Sequence, residues 1–345
     1  MRIRYVPKPN VRVMEAAYKA SMLRDSLRLF ARHTTARKAA NLGLCAAEYS
    51  LRRERVDSWP IEATIEPTNM CNLRCPYCRT GRGVEGRPKG RMRFDAYKGI
   101  IDEIGDYLYV VSLFSHGEPF LSEDLLRMAG YARDRNIASV VHTNLNVRLS
   151  DEEAGGIVES GLTVLSASID GASDRTYGEY RVGGSLGQVL ANIDAINRKK
   201  MELGSQWPRL TWQYLLFRHN EGEVEAARRM AGERGMRFRV VSPKAPDSDR
   251  SGLKGVRPTH GQGRGCHFPW TTANYAWDGS IVPCCQAYDV RDDLDGSPAG
   301  SFRRAWNNDK TRALRRYFRR IGGPVGGDVI CQRCPEDYFW MSVSR

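Results

Sequence analysis

Hydrophobic and polar positions along residues 60–243 repeat in a pattern that predicts strands alternating with helices. Runs rich in β-branched and aromatic residues predict six strands, at 61–66, 109–114, 138–143, 163–170, 210–217 and 238–242. Apolar residues at helical spacing predict five helices between them, at 94–107, 122–134, 150–160, 186–203 and 221–235. Ser150 and Glu153 have the spacing of a capping box at the start of the third helix. These βα repeats predict an α/β fold with a parallel sheet or barrel.

A different pattern begins after the sixth predicted strand. Residues 243–265 are rich in Pro, Gly, Ser and charge, which predicts a linker or long loop. Beyond them, residues 274–277 and 280–282 predict a β-hairpin, and residues 302–321 predict one amphipathic helix with a basic outer face. We therefore predict three regions, namely a basic helical extension over 1–57, an α/β unit over 58–243 and a small cysteine-rich domain over 244–345.

Composition and charge narrow the function classes. The 345-residue chain has a formal net charge of +13, and residues 1–57 hold 13 basic and 5 acidic side chains. Such a surplus permits an anionic partner such as nucleic acid, phosphate or an acidic membrane surface. No apolar run approaches the roughly 20 residues of a membrane span, and the basic N-terminus lacks the apolar segment of a signal peptide. We therefore expect a cytoplasmic protein without a transmembrane segment.

Three of the nine cysteines follow the first predicted strand closely. Cys71, Cys75 and Cys78 form the first cysteine group. An odd number of cysteines in a chain expected in the cytoplasm does not favour a disulfide framework. Three thiolates at spacings of four and three can hold three corners of a 4Fe–4S cube and leave the fourth iron open to another ligand. A structural zinc ion requires four closed ligands, so the spacing favours a cluster.

This C-x3-C-x2-C segment resembles the signature of the radical S-adenosylmethionine (SAM) superfamily. The resemblance implies a partial (β/α)6 TIM-type barrel, a 4Fe–4S cluster on the first cysteine group, and SAM bound at the open iron. Three further segments resemble family segments at successive strand ends: residues 115–119 (SHGEP), 142–144 (HTN) and 166–171 (SASIDG). Residues 180–184 (YRVGG) are similar to another recurrent family segment. The resemblance implies that SAM contacts lie among Tyr77, Gly117, Glu118, Asn144, Ser168 and Arg181. Leu145 stands where the family's third segment usually has Gly.

The second cysteine group consists of Cys266, Cys284, Cys331 and Cys334. Four thiolates fill the coordination of a cluster completely, although a structural zinc site is an alternative. The group resembles the "twitch" version of the SPASM extension, which implies one auxiliary 4Fe–4S cluster in a small cysteine-rich C-terminal domain. The adjacent Cys285 competes with Cys284 for this role, and a spare Cys285 is a candidate hydrogen-atom donor to a substrate radical. Cys45, in an apolar helical stretch, is predicted to be buried and structural.

The resemblance implies a radical SAM oxidoreductase that forms a 5′-deoxyadenosyl radical and oxidises its substrate through the auxiliary cluster. The cysteine spacing is similar to that of aminoglycoside-tailoring dehydrogenases such as the butirosin-pathway enzyme. We therefore expect a small polar substrate, such as a sugar, an aminocyclitol or a nucleotide-like natural-product intermediate, for which the excess Arg would suit an anionic group. An electron donor such as flavodoxin or ferredoxin is implied. The alternatives are an epimerase or carbon–carbon coupling enzyme of antibiotic biosynthesis and a peptide maturase. A nucleic-acid-binding module is disfavoured by the ordered SAM-type segments.

Overall fold

Six parallel strands in sequential order form most of one eight-stranded sheet in the computed structural model, which describes residues 24, 27–84, 86–241, 266–296, 301–319 and 329–334. The strand order is β6-β5-β4-β3-β2-β1-β7-β8. The six parallel strands are β1 (Glu62–Ile65), β2 (Val110–Ser112), β3 (Ala138–Thr143), β4 (Val164–Ser168), β5 (Arg209–Leu215) and β6 (Arg237–Val241). All six predicted strands are confirmed, and the predicted α/β class with a parallel sheet is correct.

Helices connect the parallel strands, and each of the five predicted helices is present. The α-helices that precede β6 in the described residues include α1 (Ala36–Ser50), α2 (Phe94–Ile104), α3 (Leu125–Asp134), α4 (Asp151–Glu159), α5 (Asp174–Tyr180), α6 (Leu186–Glu202) and α7 (Val224–Glu233). The capping box at α4 is confirmed. Ser150 Oγ accepts from the Glu153 N–H at 3.1 Å, and Glu153 Oε2 accepts from the Ser150 N–H at 2.7 Å. The sequence analysis did not predict α5, whose N-cap is Ser173.

The C-terminal region continues the same sheet. After α8 (Phe268–Thr271), β7 (Thr272–Tyr275) and β8 (Ile281–Val282) form the predicted antiparallel hairpin. Strand β7 also pairs in parallel with β1, which the sequence did not predict. The predicted linker at 243–265 lies outside the described residues.

The prediction of one helix over 302–321 is wrong. Two helices, α9 (Phe302–Trp306) and α10 (Asp309–Arg319), are separated at Asn307 and Asn308, while the end of the predicted helix lies outside the described residues. The Asn307 side chain pairs with both backbone groups of Val56 at 3.0 and 2.9 Å. Asn308 Oδ1 accepts from the Thr311 N–H at 2.9 Å and so caps the second helix. Asn side chains compete with helical hydrogen bonds in this way.

The sheet has one apolar and one more polar face. Alternate strand residues such as Ala63, Val111 and Val141 are buried in the main hydrophobic core with the helices. The residues between them include Thr64 and His142, which are only half-buried. Since side chains alternate across a strand, the polar residues share the inner face of the curved sheet. Within the described ranges, none of the helices has the length and apolar character to cross a lipid bilayer.

Helix α1 lies within the predicted helical extension over 1–57, in which residues 27–33 are also helical. Residues 1–23, 25 and 26 lie outside the described part. Cys45 on this helix is buried, and its thiol donates to the Trp270 carbonyl at 3.2 Å. Burial raises the pKa of the Cys45 thiol to about 12. The predicted structural role of Cys45 is therefore confirmed, and it joins α1 to α8.

Candidate functional site

The first cysteine group lies on the loop after β1, at the carboxyl ends of the parallel strands. Cys75 is buried, whereas Cys71 and Cys78 are half-buried. The loop packs against the residues that follow β4 and β5, in a small cluster whose buried members are Leu73, Cys75, Tyr180 and Phe217. Three strand ends therefore converge on the three thiols.

Nitrogen donors surround the thiols of the first cysteine group. The backbone N–H of Leu73 lies 3.5 Å from Cys71 Sγ, and Asn144 Nδ2 lies 3.7 Å from the same atom. Arg181 Nη1 lies 4.0 Å from Cys75 Sγ. Burial raises the pKa of Cys75 to about 11, and the cation of Arg181 opposes that shift. These donors would stabilise thiolates, since hydrogen bonds to sulfur and nearby positive charge favour the ionised form.

Arg181 forms a buried ion pair. Its Nε donates to Asp170 Oδ2 at 2.6 Å, and the exposed fractions of the two side chains are 12% and 0%. Asp170 Oδ1 accepts from the Leu215 N–H at 2.7 Å. Burial raises the pKa of Asp170, while Arg181 and the Leu215 N–H act in the opposite direction. Sequence reasoning quoted Asp170 within the SASIDG segment but gave it no role; the structure shows that it fixes the direction of the Arg181 guanidinium.

Glu118 joins the SHGEP segment to the end of β3. Its buried carboxylate accepts from the Thr143 hydroxyl at 2.6 Å and from the Asn144 N–H at 2.7 Å. Burial raises the pKa of Glu118, and these two donors lower it. At Gly117, a Cβ atom would lie 2.2 Å from the Thr68 carbonyl oxygen, so only glycine fits against the loop of the first cysteine group. Both residues therefore shape the predicted SAM site, and their contacts with SAM stay predictions.

The turn after β3 forms without the glycine usual in the family. Leu145 has a left-handed backbone with φ +53°. Its N–H donates to Thr143 Oγ1 at 2.7 Å, and its carbonyl accepts from Asn192 Nδ2 at 3.0 Å. The Leu145 side chain is buried in the main core. Packing and two hydrogen bonds therefore hold Leu145 in a left-handed conformation, which costs free energy for any residue with a Cβ atom.

Aromatic rings cover one side of the first cysteine group. Tyr77 stacks on Tyr180 and Phe217, with ring centroids 6.1 and 5.9 Å apart. Tyr180 and Phe217 are themselves 4.4 Å apart. Ser168 ends β4 and is half-buried. The predicted residues Tyr77, Asn144 and Arg181 thus meet at the thiols, while Ser168 lies at the same end of the sheet.

The second cysteine group meets in one cavity although its members are far apart in sequence. The cavity is lined by Cys266, Cys284, Cys331 and Cys334, with six apolar residues: Phe268, Pro269, Pro283, Leu314, Phe318 and Ile330. Burial raises the pKa of Cys284, and the neighbouring thiols of Cys285, Cys331 and Cys266 raise it as well. Cys285 does not line the cavity. Cys284 therefore lies with the other three cysteines of the group, and its role as a cluster ligand stays a prediction.

The donors of both cysteine groups are thiols. Three thiolates can hold three corners of a 4Fe–4S cube, and four thiolates complete its coordination. The donor type of both groups therefore fits a cluster.

A stack of side chains connects the two cysteine groups. The guanidinium of Arg79, next to Cys78, lies 4.3 Å from the ring centroid of Tyr288, and this ring stacks on His116 at 3.9 Å. His116 Nε2 contacts the Cys285 carbonyl oxygen at 2.9 Å, and its Nδ1 lies 3.4 Å from Glu66 Oε1. The sequence analysis assigned no role to His116 or Tyr288. The proximity of Arg79 and Tyr288 to cysteines in sequence was the available signal.

Comparisons with known proteins agree with this geometry. The family model described as the radical SAM superfamily matches residues 65–231. The AdoMet-dependent heme synthase of Methanosarcina barkeri is 32% identical over 134 residues, which cover 39% of this chain and 38% of that protein. The chain therefore spans less than two fifths of the length of the curated relatives that it matches first.

Solved structures share the fold over a longer stretch. SuiB of Streptococcus suis, bound to S-adenosylmethionine, has a TM-score of 0.62 at 14% identity and covers 79% of this chain and 72% of its own. BtrN, in complex with AdoMet and 2-DOIA, has a TM-score of 0.50 at 16% identity and covers 82% of this chain and 98% of its own. The matched residues contain the first cysteine group and four whole parallel strands, β2 to β5, together with the last residue of β1. Residues 65–231 match the radical SAM superfamily, an enzyme family that uses a 4Fe–4S cluster and SAM.

Proposed function

We propose that this chain is a radical SAM oxidoreductase in which a second, auxiliary 4Fe–4S cluster accepts an electron from the substrate. The meeting of Cys266, Cys284, Cys331 and Cys334 in one apolar cavity carries the proposal. Four thiolates complete the coordination of a cluster and leave no iron for a substrate. Such a site suits electron transfer. The likeness in fold to BtrN supports it, because it extends over 82% of the chain and so beyond the matched domain.

The first cysteine group would hold the radical cluster through Cys71, Cys75 and Cys78. The donor set fits, since three thiols meet N–H groups and the cation of Arg181 at one end of the sheet. When bound, the cluster and SAM supply the one-electron cleavage of SAM to methionine and a 5′-deoxyadenosyl radical.

The residues around the thiols would bind and orient SAM. The Arg181 guanidinium, fixed at Nε by Asp170, would pair with the SAM carboxylate through its Nη atoms. Asn144 and Ser168 would supply an amide and a hydroxyl group for the ribose and amino-acid parts. The backbone at Gly117 would receive the amino group. The rings of Tyr77, Tyr180 and Phe217 would exclude water beside the adenine.

The inner face of the sheet supports a small polar substrate. It carries Thr64, Ser112, His142, Gln213 and Arg239, which are half-buried. Hydroxyl, amide and guanidinium groups of this kind suit a sugar, an aminocyclitol or a nucleotide-like natural-product intermediate, and Arg239 suits an anionic one. Loss of one hydrogen atom, one proton and one electron would convert a CH–OH group into a ketone. A flavodoxin or ferredoxin in the cytoplasm would supply the reducing electron for SAM cleavage.

Peptide maturation is the second candidate. The likeness in fold to SuiB favours it, because SuiB has also been solved bound to its precursor peptide SuiA. Oxidation of a peptide and oxidation of a small molecule both need an electron acceptor. The two candidate functions therefore differ in which substrate fits against the inner face of the sheet.

Anaerobic reconstitution with iron and sulfide tests the proposal. Purified wild-type protein should hold about eight irons, four for each cluster, and should form 5′-deoxyadenosine from SAM when reduced with dithionite. Substrate oxidation should appear with hydroxylated sugars or aminocyclitols and give the ketone. A count of about four irons with one zinc ion would make the second cysteine group structural and would contradict the proposal.

A further inference from the structure

Helix α10 forms one wall of the cavity of the second cysteine group. Its residues Leu314 and Phe318 line that cavity, and both are buried. The opposite side of the helix faces outward. Only the width of one helix, about 10 Å with its side chains, therefore separates the cavity from the outer side of α10.

The outer side of α10 carries three arginines, Arg312, Arg316 and Arg319, which we call the basic face. Residues three and four apart share one side of a helix, so these side chains lie together. The side chains of Arg312 and Arg316 are 39% and 46% exposed, and Arg319 is exposed as well. The basic outer face that the sequence predicted for residues 302–321 is therefore present on α10.

The positive charge of the basic face is only partly balanced. Glu54 Oε1 is shared between Arg312 Nη2 at 3.0 Å and Arg316 Nη2 at 3.5 Å. Asp309 Oδ1 lies 3.5 Å from Arg312 Nη1, but the Asp309 side chain is 98% exposed, so water screens this pair. Like charges at these helical spacings repel each other, and an anionic partner would relieve the repulsion.

Two more arginines extend the charge beyond α10. Arg53 and Arg55 flank Glu54 in the chain, and both are exposed. The surface around Glu54 therefore has more arginines than carboxylates. A surplus of positive charge on a protein surface suits an acidic partner protein, because opposite charges speed the encounter of the two.

The proposed function requires an exit for an electron. Loss of one hydrogen atom, one proton and one electron oxidises the substrate, and that electron arrives at the second cysteine group. It has to leave again before the next turnover, so that the next electron can be accepted. Apart from the thiols, the lining of the cavity is apolar and offers little to a small polar acceptor. An acceptor that stays outside the cavity fits better.

We propose that the basic face of α10 is the docking surface for an acidic one-electron carrier protein, which takes the electron from the second cysteine group. The inference rests on the proposed function. A carrier with a carboxylate-rich surface, such as an oxidised flavodoxin, would place its own cofactor across α10 from the cavity. Each turnover would reduce one carrier by one electron, which converts oxidised flavodoxin into its semiquinone.

Binding of an oxidised flavodoxin tests the docking surface without turnover. Anaerobic titration calorimetry would compare the reconstituted wild-type protein with a triple variant that has Arg312→Gln, Arg316→Gln and Arg319→Gln. The wild-type protein should have a binding site that weakens as salt is added. The affinity of this site should be about tenfold lower in the triple variant, since each exposed charge contributes modestly.

A matched control removes the same charge elsewhere. Arg127, Arg198 and Arg228 are exposed on α3, α6 and α7. Replacing all three with Gln should leave the affinity for flavodoxin within about twofold of the wild-type value. Arg319→Glu is a second test variant, because it leaves the contacts of Glu54 with α10 intact. It should weaken binding by about three- to fivefold.

Stopped-flow mixing measures electron transfer across the same surface. In Cys71→Ala protein the second cysteine group is the complete one, so its reduced cluster is the electron source for oxidised flavodoxin. The semiquinone should form about tenfold more slowly at low salt when the three Gln substitutions are added. This difference should disappear at high salt, which screens the charges.

Three results would overturn the inference. The first is unchanged binding and electron transfer in the triple variant, and the second is an equal loss in the control variant. The third is tighter binding of a short DNA duplex than of flavodoxin to the basic face, which would make it a nucleic-acid surface. An iron count of about four per chain would show that the second cluster is absent, so the proposed function and the inference would fail together. A count of about eight with no effect of the triple variant rejects the docking surface alone.

Discussion

The two cysteine groups differ in their surroundings more than in their donors. The first has three thiols with N–H donors and a buried Arg181–Asp170 ion pair beside them. The second has four thiols in a cavity whose other lining residues are apolar. Polar groups next to an incomplete ligand set suit a charged molecule at the open position. An apolar lining around a complete ligand set suits a cofactor that exchanges only electrons.

The largest expected effect is the loss of SAM cleavage when the first cysteine group is incomplete. Replacing Cys71, Cys75 or Cys78 with Ala leaves two thiolates, which hold a cluster poorly. We expect 5′-deoxyadenosine formation to fall to background in an anaerobic assay by liquid chromatography. Cys45→Ala is the matched control, because Cys45 lies on α1 and belongs to neither group. Normal SAM cleavage in any of the three variants would remove that residue from the proposed ligand set.

The second cysteine group should be separable from the first. Replacing Cys331 and Cys334 with Ala removes half of its thiols and should lower the iron content from about eight to about four per chain. SAM cleavage should persist, since the first group lies on a different element, while substrate oxidation should stop. Iron and zinc analysis with product detection measures both. Product formation at a normal rate without the auxiliary cluster would favour the epimerase or coupling alternative.

The ion pair tests whether Arg181 acts on SAM or on the fold. Arg181→Ala should weaken SAM binding by about 1.5–3 kcal/mol if a charge-assisted hydrogen bond is lost. It should also lower the free energy of unfolding by about 3–5 kcal/mol, because Asp170 is left buried and unpaired. Thermal unfolding and titration calorimetry measure the two effects separately.

The double variant Arg181→Met with Asp170→Asn is the control for that experiment. Removing both charges should restore much of the stability, while SAM affinity should stay low. If SAM affinity recovers with stability, Arg181 has only a structural role and the predicted carboxylate contact is wrong.

The smallest expected effect is a difference in stability between two variants of Leu145, in the turn beside the first cysteine group. Leu145→Ala and Leu145→Gly both lose a buried side chain and should be destabilised by about 2–5 kcal/mol. Glycine avoids the left-handed cost of about 1–2 kcal/mol but loses about 0.5–1 kcal/mol of chain entropy. The Gly variant should therefore be more stable than the Ala variant by about 0.5–1 kcal/mol, as measured by thermal unfolding. The reverse order would show that the left-handed conformation is not costly here.

Local patterns predicted the sheet well because its strands are short runs rich in β-branched and apolar residues, bounded by turns. Strand β3 spans the predicted residues 138–143, and its residues are almost all buried. The break between α9 and α10 depends instead on Asn307, whose side chain binds Val56 far away in sequence. Apolar spacing alone does not contain such a contact, so it indicated one continuous helix.

In the candidate site, too, local sequence patterns predicted some features, while others depend on contacts between residues far apart in sequence. Short spacing identified Cys71, Cys75 and Cys78, which share one loop. Sequence could not separate Cys284 from Cys285, whereas the folded chain places Cys284 and not Cys285 on the lining of the cavity. The Arg181–Asp170 pair joins the end of α5 to the segment after β4. Likewise, Arg79, Tyr288 and His116 come from three segments that only the folded chain brings together.

The pairing of β1 with β7 has a consequence for how the chain is made. The register joins Ile65 to Tyr275, so one edge of β1 gains its partner roughly 200 residues later in synthesis. Until then its backbone N–H and C=O groups form an open edge that can pair with another chain. A product truncated before β7 should therefore self-associate through β1 even though the matched domain is present. Both edges of β1, the strand before the loop of the first cysteine group, are therefore paired only after the C-terminal region has been synthesised.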